Sequence, residues 1–101
     1  MSDLLTPQPP PINETGDLWA DLIAREDDPE LRALFVARRE QGIAKYGRPL
    51  GMDNGRDFRV DALQEACDGL VYSEGLGDSA DAAWVRMMFK SALRTLVGMK
   101  A

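Results

Sequence analysis

Three acidic residues recur at helical spacing near the middle of the chain. Asp61, Glu65 and Asp68 are separated by four and then three positions, so a helix would align their side chains along one face. Like charges at this spacing repel by roughly 0.2–0.5 kcal/mol per pair. A cation would relieve the repulsion, and Mg²⁺ is commonly held by one or two carboxylates together with substrate phosphates. The spacing indicates a divalent-metal site, with a solvated acidic face as the alternative.

The loop before this acidic helix is rich in arginine. Arg48, Arg56 and Arg59 lie in or beside it, and Asp57 is placed to cap the helix. Backbone N–H groups at a helix start and nearby arginines both favour an anion such as phosphate. The loop therefore predicts a phosphate-binding site beside the acids, or arginines that only balance the acidic charge.

The other sides of the acidic helix indicate how it packs. One side is apolar and is expected to face a core, and another is small enough to let a second helix approach closely. The apolar side comprises Val60, Leu63, Cys67 and Leu70, and the small side comprises Ala62, Ala66 and Gly69.

Start and stop signals predict three further helices. Thr15 can cap a short helix from Gly16 to about Arg25. Pro29 after Asp28 begins a longer helix that should end near Tyr46, before Gly47. The last helix follows Asp78 and Ser79, runs to about Met99, and has a continuous apolar side expected to form core or a subunit interface. That side comprises Trp84, Val85, Met88, Phe89, Ala92, Leu96 and Met99.

These elements predict an all-α fold. The short connections favour a small antiparallel helical bundle of one short and three longer helices. A chain of 101 residues buries a modest core, so we expect oligomerisation to complete it. Residues 1–14 contain four prolines and are expected to form a flexible, extended Pro-rich arm, with residues 15–101 as a single domain.

Composition excludes several classes of function. The net charge is −5 with no basic tract, which disfavours binding to duplex nucleic acid. The chain has no histidine, which removes His-based catalysis, Ser-His or Cys-His triads and His-containing zinc sites. No apolar run approaches ~18 residues and no signal-peptide pattern is present, so no membrane partner is expected. Cys67 is the only cysteine and is expected to act as a small hydrophobe, which predicts a reduced, cytoplasmic protein.

Five short motifs occur in order between residues 45 and 68. They are Lys45-Tyr46-Gly47, Pro49-Leu50, Asn54-Gly55-Arg56-Asp57, Asp61-Ala62 and Gln64-Glu65-x-x-Asp68. With these motifs the chain resembles the small MazG-like nucleotide pyrophosphohydrolases, many of which are encoded by bacteriophages. The resemblance covers roughly residues 38–73.

The resemblance implies an oligomeric all-α protein that binds Mg²⁺ (or Mn²⁺) and a nucleotide. It implies hydrolysis of (deoxy)nucleoside triphosphates to monophosphate and pyrophosphate, in the bacterial host cytoplasm if the chain is phage-encoded. It also assigns roles to individual residues. The implied metal ligands are Glu40, Asp61, Glu65 and Asp68; the catalytic residues are Glu65, Asp68 and Arg56; the substrate-binding residues are Lys45, Tyr46, Arg48, Asn54, Arg56 and Arg59.

One motif departs from the family pattern. The segment from Arg38 to Gly42 offers only Glu40 where the family has three acids. This departure motivates an alternative, a non-catalytic protein that binds or sequesters a nucleotide. A second alternative is a helical interaction module that uses the apolar side of the last helix.

Overall fold

The computed structural model describes residues 2–10, 15–51 and 55–99. Its elements are a short 3-10 helix (Ser2–Leu5) and four α-helices: α1 (Leu18–Arg25), α2 (Pro29–Tyr46), α3 (Phe58–Glu74) and α4 (Ala80–Gly98). The fold is all-α, as predicted, with one short and three longer α-helices. In the part of the chain that the structure describes, no helix is both long enough and apolar enough to span a bilayer.

The chain divides into two compact units. Pro10–Gly55 form the α1–α2 unit, and Met1–Pro9 with Arg56–Ala101 form the α3–α4 unit. The predicted arm is therefore divided, because residues 2–9 belong with α3 and α4, whereas residues 11–14 lie outside the described residues. The flexibility predicted for the arm stays a prediction, as does a single domain over residues 15–101.

Side-chain caps fix where three helices begin. The Asp28 carboxylate accepts hydrogen bonds from the N–H groups of Glu30 and Leu31. These two residues follow Pro29, which occupies the first helical position. The Asp57 carboxylate likewise accepts from backbone N–H groups in the first turn of α3, and the Ser79 hydroxyl caps α4. Gly47 ends α2 with a φ of 82°, a left-handed conformation that favours glycine. These boundaries confirm the sequence signals.

The start of α1 differs from the prediction. Its cap is Asp17, whose carboxylate accepts from the Ala20 N–H at 3.0 Å, so Thr15 does not cap this helix. The reason is Gly16, which has a φ of 74° and therefore cannot occupy the first helical position. The helix begins two residues later than expected, at Leu18.

The α3–α4 unit contains the apolar core. Leu4, Val60 and Leu63 are buried together, and Cys67, Leu93 and Leu96 pack against them. This confirms the predicted apolar side of α3. The small side is confirmed at one point, because the Phe89 ring of α4 lies over Gly69 so closely that a Cβ atom there would overlap it.

The α1–α2 unit is held mainly by partly exposed contacts. Neither helix contains a fully buried residue. Trp19 and Phe35 pack with their ring centroids 6.3 Å apart, and Arg39 donates to the Asp17 carboxylate at 2.6 Å. The hydrogen bond from Arg39, against a smaller opposing effect of burial, lowers the pKa of Asp17, and the same bond raises the pKa of Arg39.

Much of the predicted apolar surface stays exposed. Trp84 and Met88 on α4 are 61% and 54% exposed. Among the described residues, the fully buried apolar side chains are Leu4, Val60, Leu63, Ala66 and Ala82. The apolar side of α4 is therefore only partly covered by the chain itself.

Candidate functional site

The three acids of the predicted line on α3 do not share one environment. Glu65 and Asp68 are exposed to solvent, whereas Asp61 is half-buried. They lie on a regular helix that runs from Phe58 to Glu74, so the predicted line of carboxylates exists as a line along α3. The difference in exposure arises from the loop that precedes the helix.

Asp61 is engaged in a bidentate ion pair. Arg56 donates from Nε to Oδ2 at 2.9 Å and from Nη2 to Oδ1 at 2.8 Å, and both side chains are 26% exposed. Two parallel N–H···O bonds of this kind fix the guanidinium against the carboxylate. The predicted arginine and the first predicted metal ligand of α3 therefore neutralise one another in this structure.

The N-terminal segment also binds at this point. Arg56 donates from Nη1 to the Pro9 carbonyl at 2.7 Å, and the Asp57 N–H donates to Gln8 Oε1 at 2.8 Å. Farther along α3, Gln64 Nε2 donates to the Thr6 carbonyl at 3.0 Å. Sequence reasoning missed these contacts, because glutamine and proline in a Pro-rich segment carry no local signal for a partner about 50 residues away.

The start of α3 is already capped by the chain. Asp57 Oδ1 accepts from the N–H groups of Arg59 and Val60 at 3.0 and 3.2 Å. The Arg59 side chain points to the other helix, where it donates to the carbonyls of Leu96 and Val97 at 2.6 and 2.8 Å. The predicted substrate-binding Arg59 thus contacts the C-terminus of α4, and Arg56 is the arginine next to the acidic line.

An open groove adjoins the two exposed acids. It lies between α3 and α4, has a volume of about 560 Å³, and has Glu65 and Asp68 on its lining. Its aromatic residues are Tyr72 and Phe89. The remaining lining is apolar or small: Ala62, Ala66, Gly69, Ala92 and Leu96. The groove combines carboxylate oxygens with an aromatic surface that a flat ring could contact.

The described residues form no three-ligand metal cluster. In residues 2–10, 15–51 and 55–99, no group of three Cys, Asp or Glu side chains is placed to hold an ion. Glu40 lies on α2, in the other unit, and Asp61 is paired with Arg56. Glu65 and Asp68 remain as neighbouring exposed oxygen donors, which fits an ion that takes its other ligands from water and phosphate.

The other predicted substrate-binding residues lie at the end of α2 and just after it. The Lys45 ammonium is 5.1 Å from the centroid of the Tyr46 ring, a cation–π contact, and both residues are exposed. Arg48 follows Gly47 and is exposed. Asn54 lies outside the described residues. The structure therefore brings Arg56, Asp61, Glu65 and Asp68 onto one unit and the residues of α2 onto the other.

No protein-family model matches the chain, and comparisons with curated proteins and with solved structures find no match. The resemblance to the MazG-like pyrophosphohydrolases stays a prediction made from the motifs.

Proposed function

We propose that this protein hydrolyses (deoxy)nucleoside triphosphates to monophosphate and pyrophosphate with the aid of Mg²⁺ (or Mn²⁺). The observation that supports this most is the groove in which the exposed carboxylates of Glu65 and Asp68 adjoin the aromatic rings of Tyr72 and Phe89. A nucleotide needs both kinds of surface, because its phosphates carry a metal ion and its base is flat and apolar. The MazG-like motifs point to the same chemistry.

The two exposed acids are the proposed metal ligands. Glu65 and Asp68 supply hard oxygen donors, and Asp61 could join them only after leaving Arg56. A bound divalent ion would lower the pKa of a coordinated water and neutralise phosphate charge.

Other residues of the chain would bind and orient the substrate. Tyr72 and Phe89 offer a stacking surface for the base. Arg56 is paired with Asp61 in this structure, and once released from it the guanidinium would stabilise charge on the phosphates. A carboxylate that does not hold the metal would accept the proton of the attacking water, since the chain has no histidine.

The test is a product assay with matched variants. The purified protein is incubated with a panel of nucleoside and deoxynucleoside triphosphates in Mg²⁺ or Mn²⁺, and monophosphate and pyrophosphate are quantified. We expect turnover by the wild type and by Glu74→Gln, an exposed acid at the end of α3, and a loss of at least about 100-fold in Glu65→Gln. Equal product from wild type and Glu65→Gln would refute the proposal.

A second candidate is metal-independent nucleotide binding without hydrolysis. It is favoured by the Arg56–Asp61 ion pair, which removes one acid from the metal line, and by Arg38 and Arg39 where the family has acids. Calorimetry with linear and cyclic nucleotides in EDTA distinguishes the candidates. Binding under these conditions without turnover in Mg²⁺ would favour this candidate over hydrolysis.

We further propose that the chain acts as a homo-oligomer. Its helices leave Leu34, Trp84 and Met88 more than half exposed, and α1 and α2 bury no residue fully. A monomeric domain of this size rarely leaves so many large apolar side chains in water, and a second copy would cover them. Light scattering tests this, and a monomer with an exposed Trp84 face would instead favour the interaction-module alternative.

A cytoplasmic location is part of the same proposal, in a bacterial host if the chain is phage-encoded. It is supported by Cys67 as the sole cysteine, which suits a reducing compartment. Fractionation of cells that express the untagged chain tests the location.

A further inference from the structure

The segment Leu4–Pro9, here called the N-terminal strap, is anchored at one end by apolar packing. Leu4 is only 9% exposed and packs with Val60 and Leu63 in the core of the α3–α4 unit. Gln64 Nε2 donates to the carbonyls of Leu4 and Thr6, at 3.4 and 3.0 Å. The strap is thereby fixed along the side of α3 that borders the acidic line.

The other end of the strap contacts groups that would bind an anion. Gln8 Oε1 accepts from the Asp57 N–H, and the Pro9 carbonyl accepts from Arg56 Nη1. Pro7 and Pro9 have no N–H, so this end presents backbone carbonyls as acceptors and few donors. Its oxygens thus occupy donors that phosphate oxygens would use.

We infer that the N-terminal strap is an autoinhibitory contact that a polyphosphate displaces from Arg56 and the start of α3. The inference rests on the proposed function, because it takes Arg56 as a phosphate-binding residue. A phosphate is charged, and its hydrogen bonds to a guanidinium are roughly twice as strong as those of a neutral carbonyl. Phosphate oxygens therefore displace the neutral Pro9 carbonyl from Arg56 Nη1, whereas the bonds to Asp61 use Nε and Nη2. The strap lowers the apparent affinity by the fraction of molecules in which it is closed.

Two substitutions loosen the strap without altering Arg56 or the acids. Gln8→Ala removes the acceptor at the Asp57 N–H, and Gln64→Ala removes the donor to Leu4 and Thr6. Gln41→Ala is the matched control, because Gln41 is exposed on α2 and accepts from Arg38. Gln8→Ala should tighten binding of inorganic pyrophosphate, measured by calorimetry in EDTA, by about 2- to 12-fold, the range expected for one hydrogen bond, and Gln64→Ala should also tighten it.

Cys67 reports independently on the other end of the strap. It is the only thiol, is half-buried, and packs against the core that contains Leu4. Gln8→Ala should accelerate its labelling by a thiol reagent although Gln8 lies at the opposite end, and pyrophosphate should accelerate labelling of the wild type. Thermal unfolding confirms that each variant is folded.

The outcomes separate this inference from the proposed function. Tighter pyrophosphate binding together with faster labelling in the loosened variants supports the strap. If wild type and loosened variants bind pyrophosphate equally, the strap is not inhibitory, while the proposed site stands. If no variant binds pyrophosphate in EDTA, the metal-independent phosphate site at Arg56 is refuted, and the inhibitory role is refuted with it even where Gln8→Ala speeds labelling. Mg²⁺-dependent hydrolysis is judged separately, by the product assay.

Discussion

Arg59 and Arg86 make equivalent contacts in opposite directions between two antiparallel helices. Arg59, near the start of α3, donates to the Leu96 and Val97 carbonyls in the last turn of α4. Arg86, in the first half of α4, donates to the Ser73 carbonyl in the last turn of α3 at 3.0 Å. Neither helix has a basic residue in its own last turn. Each helix therefore receives from its partner the cation that its C-terminal dipole favours.

These contacts predict that replacing either arginine lowers the free energy of unfolding. Arg59→Met and Arg86→Met keep much of the apolar stem but leave C-terminal carbonyls without their charged donor, so each should lower the free energy of unfolding by about 1–2 kcal/mol. Urea denaturation measures the change. Arg94→Met, at an exposed position of α4, is the control and should stay within about 0.5 kcal/mol of the wild type. Equal effects at all three positions would contradict the capping role.

The Asp17–Arg39 pair predicts a stability loss in acid. Because Arg39 lowers the pKa of Asp17 in the folded chain, the pair stabilises the protein fully above the unfolded pKa of about 4 and ceases to do so as the pH falls through the lowered value. Asp17→Asn keeps the helix cap but removes the charge. The variant should be less stable at pH 7 and lose less stability between pH 5 and 2. An unchanged slope would contradict this assignment.

Stabilisation by a bound metal ion should depend on Glu65 and not on Glu74, another exposed acid of α3. In metal-free buffer, Glu65→Gln should raise the free energy of unfolding by roughly 0.2–0.5 kcal/mol, because it relieves repulsion along the helix. Added Mg²⁺ at 100 times its dissociation constant should stabilise the wild type by about 2.7 kcal/mol and the variant much less. Thermal unfolding with and without Mg²⁺ measures both effects, and Glu74→Gln should respond to Mg²⁺ like the wild type.

If the exposed apolar side of α4 is a subunit interface, charged substitutions there should reduce the oligomeric state. Trp84→Glu and Met88→Glu place charges on a surface that the chain leaves exposed, so neither should unfold an isolated chain, but both should disrupt contacts with a second copy. Sedimentation should show smaller species for these variants. Lys90→Glu is the control, since it changes charge on the polar side of the same helix. A mass that is the same for all variants would contradict an interface at this side.

The close approach of the Phe89 ring to Gly69 predicts that substitutions at these two positions are energetically coupled. Gly69→Ala gains up to about 1 kcal/mol of helix propensity but forces the new methyl group against the ring, which costs about 1–3 kcal/mol. In a Phe89→Leu background the same substitution should become neutral or stabilising. A double-mutant cycle measures this coupling, and Gly42→Ala, where a Cβ meets nothing within 4 Å, should show none. Additive effects would contradict the close approach.

Local signals were sufficient to predict most helix boundaries. Asp28 before Pro29, and Gly47 after Tyr46, act within one turn of the helix end, so their effects are readable without knowledge of the tertiary structure. The error at α1 had the same local origin, because a left-handed Gly16 moved the cap to Asp17.

The partners of the arginines could not be predicted in this way. Arg56 donates to the Pro9 carbonyl, and Arg59 donates to a carbonyl at the end of α4. Both acceptors are far away in sequence. Helical periodicity correctly placed Asp61, Glu65 and Asp68 on α3, but it cannot tell which carboxylate receives a guanidinium. That choice depends on how the loop before α3 folds back, which is a tertiary property.

The packing of Leu4 against α3 and α4 has a consequence for how the chain folds during synthesis. Leu4 is translated before Val60, Leu63 and Leu93, from which it is far away in sequence. This core cannot close until Leu93 has been translated, so its closure depends on contacts of long sequence separation, which form slowly. The segment translated before Leu93 must avoid aggregation meanwhile, and a chaperone that binds emerging apolar segments should raise the yield of native protein.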